Sequence, residues 1–139
     1  MLELTMATMA GGDEGATAAM AMAEARSEPG AVLRVGRDAS VCRLVTPDDW
    51  LFVSRVHLEF RCGPEGDWIL FWLRGSQDDP ASEVRVRFGP QGQAQGQDPG
   101  QPVAYGGVAT LPRGSSGEVL VADRSGPRSV HVGFCHELT

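Results

Sequence analysis

From Ala31 onward the chain alternates apolar and polar residues in short runs broken by turn residues, the period-two signature of half-buried strands. In Ala31–Val35, residues Ala31, Leu33 and Val35 fall on one face and Arg34 on the other. Val41–Val45 is a second run, closed by the turn sequence Thr46-Pro47-Asp48-Asp49. Trp50–Val53 is apolar and leads into Ser54; after it Val56, Leu58 and Phe60 oppose His57, Glu59 and Arg61. Gly63–Asp67 reads as a hairpin turn, and Trp68–Leu73 is apolar on both faces, as a central strand of a sandwich would be. Glu83–Phe88 alternates with Val84, Val86 and Phe88 inward. Val103–Leu111, Glu118–Ala122 and Ser129–Phe134 supply the last strands, with Val130, Val132 and Phe134 inward. Many short strands and no convincing helical period predict an all-β sandwich.

Two segments lack this pattern. Residues 1–30 are rich in Ala, Met, Gly and Glu and poor in branched and aromatic side chains, so little apolar surface is on offer to offset the entropy of ordering. They are expected to form a disordered tail, with a fraying helix at Ala16–Arg26 and with Met6 or Met9 as alternative starts. Residues 89–102 (G-P-Q-G-Q-A-Q-G-Q-D-P-G-Q-P) read as a flexible Gly/Gln loop. The domain is thus expected to span 31–139.

Composition narrows the class. No apolar run reaches the roughly 18 residues of a membrane helix, and the first residues lack the charged and apolar regions of a secretory signal. Cys42, Cys62 and Cys135 are odd in number, with no C-x-x-C spacing, which suits reduced thiols in a cytoplasmic protein. A net charge of −6 argues against a sequence-independent nucleic-acid binder. Against that acidic background, Arg34, Arg37, Arg43, Arg55 and Arg61 are concentrated between Ala31 and Cys62. All the basic residues are arginine, whose planar fork suits phosphate.

The chemistry gathers at two places. Gly36 ends a strand where the backbone must turn or a ligand approach, and Arg37 projects after it. Ser54-Arg55-Val56-His57 places a hydroxyl and a guanidinium where a loop enters a strand, so both can reach one oxyanion. Arg37, Ser54 and Arg55 form a candidate phosphate clamp, and His57 reads as structural, its ring holding the preceding loops through backbone hydrogen bonds. A hydrolase built on Ser54, His57 and Asp48 or Asp49 is disfavoured. On an extended chain Ser54 and His57 lie on opposite faces roughly 10 Å apart, and no G-x-S-x-G elbow is present. His57, His131, His136 and the cysteines show no metal-ligand spacing. Neither a metal nor a cofactor is expected.

Val35-Gly36-Arg37 followed by Val53-Ser54-Arg55-Val56-His57, a turn and the Trp68–Leu73 strand resembles the forkhead-associated (FHA) domain over about Ala31 to Phe134. Leu111–Val121 is similar to that family's glycine-containing final hairpin. The resemblance implies an FHA-like sandwich of two twisted, mainly antiparallel sheets with about 10–11 short strands. It further implies a phosphothreonine-dependent interaction module of Ser/Thr kinase signalling, not an enzyme, which binds a phosphopeptide on loops at one end. Its phosphate contacts fall on Arg37, Ser54 and Arg55, with Gly36 and His57 supporting them. The expected partners are a phosphothreonine-containing protein, the kinase or its substrate, with no nucleic acid and no membrane. The family's peptide-gripping Asn-Gly is replaced by Ser76-Gln77-Asp78-Asp79, so any peptide-backbone contact falls to Ser76, Gln77 or Asp78. Carboxylates there disfavour a dianionic phosphate, which leaves a phosphate-independent scaffold or assembly domain of a larger complex as the alternative. Thr5, Thr8 and Thr17 allow a self-binding variant.

Overall fold

The computed structural model describes residues 1–9, 17–75, 79–89 and 100–137. Their strands are β1 (Leu2–Met9), β2 (Thr17–Ala25), β3 (Val32–Gly36), β4 (Leu44–Val45), β5 (Leu58–Cys62), β6 (Trp68–Trp72), β7 (Ser82–Phe88), β8 (Gln101–Val103), β9 (Val108–Leu111), β10 (Ser116–Asp123) and β11 (Ser129–His136). One sheet runs β2-β1-β11-β10-β7-β8 and the other β4-β3-β5-β6-β9. All pairings are antiparallel except β3 with β4. The expected all-β sandwich of two mainly antiparallel sheets is therefore what the chain forms.

The core lies where the two inner faces meet. Val84, Val86, Val119, Val121, Val130, Val132 and Phe134 come from the first sheet. Leu33, Val35, Leu58, Phe60, Trp68, Leu70, Trp72 and Leu111 come from the second, all nearly sealed from solvent. Each such aliphatic or aromatic side chain gains about 1.5–3 kcal/mol from leaving water. On the outer face of the second sheet, Glu59 is buried between Arg34, whose Nε lies 2.8 Å away, and Arg61. Burial opposes its ionisation, but the hydrogen bonds from the two arginines outweigh that and hold the carboxyl below its usual range.

Leu2–Met9 and Thr17–Ala25, expected within a tail, are strands of the first sheet. β1 pairs with β11 from Leu2↔His136 to Met9↔Ser129, and β2 pairs with β1 on its other side. Leu2, Leu4, Met6 and Thr8 point into the core and are at most 1% exposed. Of the expected Ala16–Arg26 helix, Thr17–Ala25 continue the sheet as β2. Composition misled here because the segment is ordered by a distant partner strand rather than by its own propensity. Thr8 is sealed, and Thr5 and Thr17 lie within strands rather than on the tail that the self-binding variant requires.

Among the smaller departures, turn residues divide two runs that hydrophobicity alone joins. Only Leu44–Val45 of the Val41–Val45 run is strand. Trp50–Val53 is a looped plug whose Trp50, Phe52 and Val53 enter the core, closed by Val53 N–H to Trp50 O at 3.0 Å. Val103–Leu111 is cut at Gly106, where φ is 81°, into β8 of one sheet and β9 of the other. Gln101 and Pro102, expected in the 89–102 loop, pair with Val86 and Arg85; residues 90–99 lie outside the described residues. Phe88, at the last position of β7, is 44% exposed rather than inward, its ring meeting that of Phe134 in a T-shaped pair with centroids 5.7 Å apart.

Leu4→Ala tests the N-terminal strand. It is expected to lower stability by about 2–5 kcal/mol in urea denaturation, the range for emptying a sealed leucine site. A change under about 0.5 kcal/mol would restore the tail.

Candidate functional site

Between β3 and β5 the chain runs mostly as loops around the short β4, and the segments just after β3 and just before β5 are laced together. Arg37 N–H donates to Ser54 O at 3.2 Å and Asp38 N–H to Arg55 O at 3.0 Å. These bonds bring Gly36 against Arg55. A Cβ on Gly36 would stand 2.2 Å from Arg55 O and 2.9 Å from Val56 Cα, so this residue is fixed by close backbone approach. The Cys42 thiol donates to Arg55 O at 3.4 Å; burial pushes its pKa up and keeps the proton on sulfur.

Arg37, Ser54 and Arg55 line one cleft of about 450 Å3 together with Leu51, Phe52, Val56, His57, Gly75, Pro80, Ala81, Ser82 and Tyr105. Arg37 is partly committed: Nε donates to Val53 O at 2.6 Å and Nη1 to Asp48 O at 3.3 Å. Arg55 is exposed, and its guanidinium makes no hydrogen bond or ion pair with any described residue. Asp38 is held below its ordinary pKa by the Ser40 hydroxyl at 2.6 Å and the Ser40 N–H at 2.9 Å, with the charge of Arg55 adding to the effect. Ser76, Gln77 and Asp78 lie outside the described residues; Asp79, at the edge of that loop, is exposed.

His57 is sealed at 2% exposure. Its Nδ1 accepts the Ser54 backbone N–H at 2.9 Å, which leaves the ring proton on Nε2 to be donated to Ser82 Oγ at 3.1 Å. Its own backbone joins Val35 O at 2.8 Å and Leu73 N–H at 3.1 Å. The extended geometry expected for 54–57 is replaced by a bend, so the ring folds back on Ser54. It meets the main-chain N–H there and takes no proton from the hydroxyl. Among the described residues, no group of three or more His, Cys, Asp or Glu is placed to hold a metal ion.

Sequence reasoning missed Tyr105, Gly75 and Ser82. Tyr105 OH accepts the Gly75 N–H at 2.8 Å, and its ring lies 5.1 Å from that of Trp72. The one available signal was the chain's single tyrosine followed by Gly106-Gly107, a turn inside an apparent strand.

Burial drives the His57 pKa from 6.5 down to about 4. The unfolded chain therefore takes up a proton in a window where the folded one does not. Stability attributable to this residue is whole above pH 6.5, declines as the pH falls towards 4, and is flat below both values. The loss is about 3 kcal/mol. Urea denaturation of the protein and of His57→Gln across this window is expected to show that slope in the first and its absence in the second. Equal slopes would place the effect in other groups.

At the level of sequence, no family model and no curated protein matches the chain. Solved structures do. The N-terminal FHA domain of Rad53p from S. cerevisiae, in complex with a phosphothreonine peptide, is 14% identical with a TM-score of 0.57, covering 98% of this chain and 94% of that one. An engineered FHA with a Myc-pTBD peptide is 15% identical with a TM-score of 0.56, covering 97% and 91%. Rad53 1-466 in complex with AMP-PNP is 11% identical with a TM-score of 0.52, covering 96% of this chain and 30% of that one. The match runs through β1 and β2 as well as through the region of the sequence motifs, and the chain has the fold of a forkhead-associated domain.

Proposed function

We propose that this chain is a phosphothreonine-dependent protein-interaction module rather than an enzyme, acting in cytoplasmic Ser/Thr kinase signalling with a phosphorylated protein as partner. The observation that carries the reading is the convergence of Arg37, Ser54 and Arg55 on one cleft in a protein of net charge −6. Arg55 brings a guanidinium without a partner among the described residues, Ser54 a hydroxyl, and Arg37 the part of its fork not spent on Val53 and Asp48. Such charge-assisted hydrogen bonds contribute about 1.5–3 kcal/mol each. Two structures of the same fold hold peptides, one of them a phosphothreonine peptide.

The threonine preference follows from the cleft's apolar wall of Leu51, Phe52 and Val56. Against it a γ-methyl gains about 0.8 kcal/mol over phosphoserine. His57 supports the clamp from beneath. With its Nδ1 on a backbone N–H and its pKa near 4, it is no general base for Ser54. No helix among the described residues is long and apolar enough to cross a membrane.

Fluorescence anisotropy against a degenerate phosphothreonine peptide pool, with phosphoserine and unphosphorylated pools beside it, tests the reading. Binding is expected to require phosphate, to favour phosphothreonine, and to weaken at least about tenfold in Ser54→Ala and in Arg55→Ala. Arg37→Ala is expected to lose binding and some stability together, because it also ties down the Val53 and Asp48 carbonyls. Equal binding of the unphosphorylated pool by folded protein would overturn the proposal in favour of a phosphate-independent scaffold.

A further inference from the structure

The outer face of the second sheet carries chemistry that the cleft does not use. Strand pairing sets Arg34, Glu59, Phe71 and Val108 in one row across β3, β5, β6 and β9, with Arg61 and Ile69 side by side in the next row. Glu59 is buried, yet each arginine meets it through Nε alone: Arg34 Nε donates to Oε1 at 2.8 Å and Arg61 Nε to Oε2. The Nη ends of both guanidinium groups make no hydrogen bond or ion pair with any described residue, and both side chains are about half exposed. One sealed carboxylate thus fixes two guanidinium groups and leaves their remaining donors unspent.

Beside this charged half the same face is apolar. Ile69 and Phe71 are half-buried, and Val108 is 57% exposed. The Arg61 guanidinium lies over the Phe71 ring, 4.3 Å from its centroid, and so joins the two halves. Neighbouring strands stand about 4.8 Å apart, which puts Val108 about 10 Å from Glu59 along the row. Two guanidinium groups against one carboxylate leave a single positive charge here, on a chain whose net charge is −6. A nucleic acid, charged along its whole length, is repelled by the rest of such a chain. An isolated carboxylate with an apolar neighbour complements both halves of the face.

We propose that this outer face is a second docking surface, for an acidic segment of a partner protein. One carboxylate of the segment sits between the Nη ends of Arg34 and Arg61, and an apolar side chain of the same segment covers Phe71 and Val108. Glu59 is a positioning residue: it sets the spacing of the two arginines and touches no ligand. The surface is separate from the cleft of Arg37, Ser54 and Arg55, shares no lining residue with it, and needs no phosphorylated residue. It therefore stands or falls independently of the phosphopeptide reading.

The test is NMR titration of the isotope-labelled protein with unphosphorylated peptide pools. Each pool fixes one Glu, with Phe two, three or four residues on and random residues elsewhere; matched pools carry Gln or Lys for the Glu. Saturable amide shifts are expected in β3, β5 and β6, with the Glu pools binding about tenfold or more tighter than the Gln and Lys pools and weakening as salt is added. Arg34→Gln is expected to lose that preference, but it also takes a partner from the buried Glu59 and costs stability. Val108→Asp, at an exposed position of the edge strand β9, leaves Glu59 and both arginines intact. It is expected to weaken the Glu pools about tenfold with the urea midpoint unchanged. Equal binding of the Glu and Gln pools, no binding by any pool, or shifts confined to the segment around Ser54 and Arg55 overturns the proposal. Undiminished binding by folded Val108→Asp overturns it as well, since the apolar half is then no part of the surface.

Discussion

A neutral imidazole, sealed beneath the loops, joins the parts from which the cleft is built. His57 accepts one hydrogen bond from the Ser54 backbone and donates one to Ser82, so a single ring sets the spacing between the β3–β5 loops and the start of β7. A proton on Nδ1 would turn the first of these from attraction into a clash of two N–H groups. The ring's backbone links to Val35 and Leu73 tie the same residue to β3 and to the end of β6. Side chains that face solvent at the cleft are thereby held by a dry support that has no need to touch a ligand itself. This division of labour is how a surface loop acquires fixed geometry.

The charge pattern follows the same logic. Over most of the sandwich each buried or half-buried carboxylate is answered locally: Glu59 by Arg34 and Arg61, Glu118 by Arg87 and His131, Asp123 by Arg128. At Glu118 the hydrogen bond from His131 comes first, and with Arg87 it keeps the carboxyl low despite partial burial. These pairs engage their arginines. Arg55 is left outward at the cleft mouth with Asp38 as a near neighbour that is itself bound to Ser40. An acidic protein thus places Arg37 and Arg55 together where its loops converge.

Much of the fold was legible from period alone. Val84 and Val86, then Val130, Val132 and Phe134, alternate as half-buried strands must, and they occupy the inner face. The same alternation is present in Leu2, Leu4 and Met6, yet alanine and methionine are poor strand formers, and composition outweighed pattern. What decides that segment is the β11 edge, which is available only in three dimensions. At the cleft, Arg37, Ser54 and Arg55 could be read because two short motifs sit close in sequence. Tyr105 could not, since it reaches Gly75 only through the pairing of β6 with β9. Local chemistry is written locally, whereas the wall opposite it is an outcome of topology.

The pairing of β1 with β11 also bears on how the molecule reaches this state. Leu2 stands opposite His136, so closing that ladder joins residues from the two ends of the described chain, at the loop-closure cost such a span carries. β1 and β2 pair with each other, but β1's other edge is satisfied only by β11, and its inner face, with Leu2, Leu4 and Met6, is covered only when the two sheets close on each other. A topology of this kind folds slowly, in the millisecond-to-second range typical of sandwiches dominated by distant contacts. The unpaired β11 edge and the waiting hairpin are the surfaces on which a crowded refolding mixture would stick. The strand that composition failed to reveal is thus one whose outer ladder joins distant parts of the described chain.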